Sequence, residues 1–113
     1  MSKVFYNQIS NIISEASDSF ICILNGDEIN SIEKFYQHIA NGLQFPDYFG
    51  ENLDALDEML YDLDWIEQQF VILIIYNSDH FLQNDLVKKA EIIQLLEEID
   101  NPYLEIFFVS KSI

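Results

Sequence analysis

Asp54, Glu58 and Asp62 stand four residues apart in the segment FPDYFGENLDALDEMLYDLDW, residues 45–65. Glu51 and Asp57 lie beside them, and no lysine or arginine occurs from 35 to 87. Residues four apart on a helix are surface neighbours, where like charges repel by about 0.2–0.5 kcal/mol per pair. A helix shaped by stability alone would alternate its signs. A row of one sign that returns nothing to the fold points to use.

Paired catalytic carboxylates need a cleft and two different environments, whereas this spacing spreads the acids along one exposed face. A calcium loop needs alternating oxygen ligands around a glycine, and that pattern is missing. Zinc is poorly served by His38, His80 and a single cysteine set far apart. No G-x-S-x-G, P-loop or G-x-G-x-x-G occurs. A metal-dependent hydrolase built on Asp54, Asp57 and Glu58 stays as a competing reading that demands one tightly held Mg²⁺ or Mn²⁺ and turnover. The better fit is presentation: a row of carboxylates resembles a row of phosphates and suits a phosphate-binding site on a partner.

The composition agrees. Twenty acids face five lysines and no arginine, for a formal charge of −15 over 113 residues. Contact with nucleic acid or an anionic membrane calls for Lys and Arg, so the charge favours a basic protein partner and faster encounter with it. Half the residues are apolar, which argues against disorder. Cys22, inside FICIL, reads as a packed strand thiol in a reducing compartment. The N-terminus lacks a secretory h-region, and no apolar run reaches membrane-spanning length. A cytoplasmic protein of one domain, 1–113, is expected.

The elements that must position the acids follow from periodicity. On a helix over 53–63, Leu53, Leu56, Leu60 and Leu63 form one stripe, with Asp54, Glu58 and Asp62 opposite and Asp57 and Tyr61 on a shoulder. Asn52 is its N-cap, Asp54 sits at its positive end, and Gly50 relieves the backbone ahead of it. Ser31 caps IEKFYQHIA, which Asn41-Gly42 closes. The spacing of Val4, Phe5, Ile9, Ile12, Ile13 and Ala16 predicts a first helix over 4–16. A strand lies in SFICILNGDEI, a second at 70–76 with both faces buried, and a last at 103–109. A long helix over 84–100 makes the final crossover, and Trp65 reads as a core or loop anchor. The whole is an α/β domain with a small parallel sheet.

FPDYFGENLDALDEML closely resembles the signature of the barstar family, intracellular inhibitors of barnase-type ribonucleases, and LNGDEINSI is similar to its first strand and helix start. The resemblance covers about 20–109, is strongest over 45–60, and leaves 1–18 as a helical extension. It implies a three-stranded parallel sheet packed with helices, and an inhibitor without cofactor, metal or enzymatic activity. It implies that the 53–63 helix and its preceding loop enter the active site of a basic ribonuclease toxin. Tyr48 would pack against the catalytic groups, Asp54 would pair with a basic residue, and Glu58 would replace the substrate phosphate. Phe49, Gly50, Asn52, Asp57, Tyr61 and Asp62 complete the surface, joined by Glu98, or Glu97, from the later helix. Glu58 stands where the family has aspartate, Asp57 where tryptophan is common, and Phe49 where a second tyrosine is familiar. Immunity against a non-ribonuclease toxin such as a DNase, through the same surface, is the alternative.

Overall fold

The computed structural model describes residues 3–8 and 18–112. Among these residues, four strands and three helices run in the order β1 (Lys3–Tyr6), β2 (Ser19–Asn25), α1 (Ile32–Gly42), α2 (Leu53–Asp62), β3 (Phe70–Tyr76), α3 (Leu86–Glu98) and β4 (Leu104–Val109), with one 3₁₀ turn at Gly26–Glu28. All strand pairings are parallel, in the order β1-β4-β3-β2. Cys22, Leu73, Ile106 and Val4 align in one row across the sheet.

Parallel strands buried on both faces read as continuous apolar runs, and β3 and β4 do so. One face carries Leu73, Ile75, Ile106 and Phe108 in the main core with Phe35, Ile39, Leu56, Leu60, Ile92 and Leu96 from the helices. The other gathers Ile72, Ile74, Phe107 and Val109, with Phe5 and Tyr76 against them. Cys22 belongs to the first core, and burial pushes its thiol up to about 12. It stays protonated and inert, as a packed strand cysteine should.

The sheet has four strands where three were expected. Lys3–Tyr6 is extended rather than helical: it pairs with β4 in register Lys3↔Glu105 to Tyr6↔Phe108. Phe5 stacks on Phe107 at 4.7 Å. Local apolar spacing cannot announce such a partner, because the pairing lies at the far end of the chain. The rest of the helix expected over 4–16 lies, from 9 onward, outside the described residues.

Two glycines differ from expectation in what they do. Gly42 ends α1 as expected, but with no positive φ, so it is not a left-handed cap. A Cβ there would lie 2.3 Å from Cys22 Sγ, so the missing side chain is what lets α1 close on β2. Gly50 likewise has ordinary φ, and the left-handed residue before α2 is Glu51, at φ 50°.

Candidate functional site

Asn52 begins α2 from an extended backbone, its Oδ1 accepting from Ala55 N at 2.8 Å. That bond satisfies one of the helix's orphan amides. Its Nδ2 donates to Gly50 O at 3.2 Å, tying the cap to the loop ahead of it. Leu56 and Leu60 are fully buried and Met59 nearly so, which fixes the rotation of α2. Leu63 ends it in the left-handed region, its N–H returning to Met59 O.

That rotation leaves Asp54, Asp57, Glu58, Tyr61 and Asp62 exposed. Among the described residues, none of the four acids has an ion-pair partner; the lysine–carboxylate pair is Lys88 with Glu91 at 3.2 Å, on α3. The loop before α2 orients two aromatic residues in opposite senses. Phe49 is half-buried, edge-on to Phe45 at 4.9 Å and to Tyr36 at 5.8 Å. Tyr48 is 77% exposed. Trp65 secures the loop's other flank: its Nε1 donates to Leu43 O at 2.9 Å and its ring meets Phe45 edge-on.

Asp54 stands on a crest between two shallow grooves. One, of about 360 Å³, is lined by Leu53, Asp54, Asp57, Leu95 and Glu98. It joins the acids of α2 to the end of α3. The other, of about 530 Å³, is lined by Ile32, Tyr36, Glu51, Asn52, Leu53, Asp54 and Lys88. Glu58 and Tyr48 line neither groove, and both are exposed.

The two glutamates that the sequence left undecided separate here. Glu98 lines the α2–α3 groove and accepts from Gln94 Nε2 at 3.2 Å, whereas Glu97 accepts from the Tyr6 hydroxyl. Leu95 is a groove residue that sequence reasoning passed over, although it lies one turn before Glu98 on the same helix. Gly50 is exposed and contributes backbone only.

The histidines are not grouped for a metal. His80 Nδ1 contacts Asp27 Oδ1, and Asn77 Nδ2 bridges Asp27 Oδ2 and Asn25 Oδ1, at the ends of β2 and β3. Among the described residues no three His, Cys, Asp or Glu side chains converge as a metal site, and no helix is long and apolar enough to cross a membrane.

Two comparisons with known proteins agree on one family. The family model described as Barstar (barnase inhibitor) matches residues 19–109. A Bacillus subtilis (strain 168) protein named "Putative ribonuclease inhibitor YrdF" is 33% identical over 79 residues, covering 67% of this chain and 84% of its own. A chain in a structure of Drosophila ORC bound to DNA superposes with a TM-score of 0.62 at 16% identity, covering 100% of this chain and 68% of that one. A chain of Drosophila ORC bound to AT-rich DNA and Cdc6 gives 0.58 at 20% identity, and this chain spans 41% of its length. Those two likenesses speak to the fold alone.

Proposed function

The chain belongs to the barstar (barnase inhibitor) family, and on that premise we propose that it binds a basic nuclease one-to-one and occludes its active site. The carrying observation is the row of outward carboxylates on α2, joined by Glu98 across a shallow groove and matched by no cation on that helix. The surface is charged, convex and rigidly backed by a leucine core, which suits presentation better than catalysis.

In this reading the net charge of −15 steers the encounter. Docking then buries Tyr48, Asp54 and Glu58 against the lysine, arginine or histidine groups that hold the scissile phosphate. A carboxylate there accepts the same hydrogen bonds as a phosphate oxygen. Glu58 is one methylene longer than aspartate, so the partner's phosphate pocket would lie deeper or farther from the helix axis. Asp57 offers charge where an apolar contact is common, asking for a further cation in the partner. Phe49 acts from beneath, turning Tyr48 outward. The protein acts by occupancy rather than turnover, as an immunity protein inside the cell that makes the nuclease.

The test is RNA cleavage titrated with this chain, using barnase and the product of any adjacent nuclease gene as targets. Cleavage that stops at one-to-one addition, and resumes with Glu58→Ala, is expected for one of them. Capture of a basic partner that cleaves DNA but not RNA would move the function to the DNase class. A partner without nuclease activity would end the reading.

A further inference from the structure

At the opposite end of α2 from Tyr48 lies a cleft of about 360 Å³ lined by Tyr61, Asp62, Asp100, Asn101, Pro102 and Tyr103. Its floor is held in place. Asn101 is 7% exposed; its Nδ2 donates to Leu60 O at 2.9 Å, and its Oδ1 accepts from Tyr103 N at 3.0 Å. One buried amide thus ties the turn before β4 to the last turn of α2, and each side carries a tyrosine. Phe70 meets the Tyr103 ring edge-on at 5.8 Å and backs it.

All three rings nonetheless face water: Tyr61 is 61% exposed, Tyr103 47% and Phe70 44%. Aromatic faces beside a carboxylate form a site for a cation that is itself flat and weakly hydrated. Lysine is compact and strongly hydrated, whereas a guanidinium can lie on a ring while its edge donates to an acid. The chain has no arginine, and its five lysines lie at 3, 34, 88, 89 and 111, outside the cleft's lining. The occupant must therefore come from another molecule.

We propose that this cleft receives an arginine side chain of the basic partner, its guanidinium on the tyrosine rings and an N–H directed to Asp62. The partner's identity rests on the inhibitor reading above. The cleft carries the binding surface past α2 to the turn at 100–103, which the acidic spacing did not mark.

N-acetyl-arginine amide, titrated into the isotopically labelled full chain and followed by NMR, tests the cleft directly. Saturable shifts at the Tyr61 and Tyr103 rings and the Asp62 amide are expected, larger than those at Asp54 or Glu58. Tyr103→Ala should weaken binding about two- to fivefold, the range of an exposed cation–π contact. Tyr103→Phe should retain it, and Asp62→Asn should weaken it with ring packing untouched. Equal shifts along the whole acidic face, or the same response to N-acetyl-lysine amide, would overturn the proposal. Arginine seated in the cleft of a chain that inhibits no nuclease would support the cleft and sink the inhibitor reading. Full inhibition with no arginine binding would overturn the cleft alone.

Discussion

The Tyr6 hydroxyl donates a 2.7 Å hydrogen bond to Glu97 Oε2, while Glu98, the next residue, lines the groove shared with Asp54 and Asp57. The last turn of α3 thus holds two adjacent carboxylates with different duties. One is tied to β1, a strand outside the family match, and the other is left on the acidic surface.

The raised pKa of Tyr6 makes stability depend on alkaline pH. Burial first, then the bond and the charge of Glu97, hold the phenol at about 12 against an ordinary 10.0. The fold therefore retains a proton that the unfolded chain gives up. The contribution is complete below pH 10 and is lost as pH rises from 10 to 12. Tyr6→Phe should cost about 0.5–1.5 kcal/mol at neutral pH. It should also flatten the alkaline fall in urea-unfolding free energy relative to the parent chain. Parallel pH profiles for the two proteins would show that Tyr6 does not set the alkaline fall.

Gly42→Ala should destabilise the protein by about 1–3 kcal/mol, because its Cβ would meet Cys22 Sγ at 2.3 Å. Cys22→Ala in the same chain removes that sulfur, and the remaining contacts, to Leu24 Cδ2 and Cys22 Cβ, are 3.6 and 3.7 Å. The double variant should therefore lose less than the sum of the single losses in a urea melt. Simple additivity would mean that the Cys22 sulfur is not what the new Cβ meets.

Asn52→Ala deletes the acceptor for Ala55 N and should cost about 1 kcal/mol. Asn52→Asp keeps that acceptor and should cost less. Hydrogen exchange at Ala55 should rise in the alanine variant before exchange rises in β3, since the first turn frays while the core holds. Uniform acceleration in both places would contradict this.

Under the inhibitor reading, charge and contact separate kinetically. Association with the nuclease should slow about tenfold or more between 0.01 and 0.15 M salt, as the screening length shortens from about 30 to about 8 Å. Glu58→Ala should raise the dissociation rate by about thirtyfold or more, the effect of losing a central contact worth about 2 kcal/mol. Neutralising Glu28, exposed on the 3₁₀ turn, should alter association only. Stopped-flow mixing reads both rates, and equal effects on dissociation would remove Glu58 from the centre of the site.

The elements with local signals were legible in the sequence. Ser31 and Asn52 cap as their side-chain chemistry indicates. Residues 70–76 form the doubly buried strand their apolar run describes, and the leucine stripe sets which acids face out. Failures came where the deciding neighbour is distant. β1 exists because of β4, and Gly42 is small because of Cys22. The left-handed positions Gln44, Glu51 and Leu63 carry side chains rather than glycine, so turn chemistry gave no cue there. Glu97 and Glu98 look alike in the chain and differ only through Tyr6.

Lys3 pairs with Glu105, which imposes an order on events during synthesis. β1 is synthesised about one hundred residues before its partner strand β4, and closing so long a loop adds entropic cost and delay. β2 and β3 can register, and α1 and α2 can cover them, while β1 is still a loose end. Docking of β1 therefore waits on β4 and cannot precede the synthesis of residue 108, the partner of Tyr6.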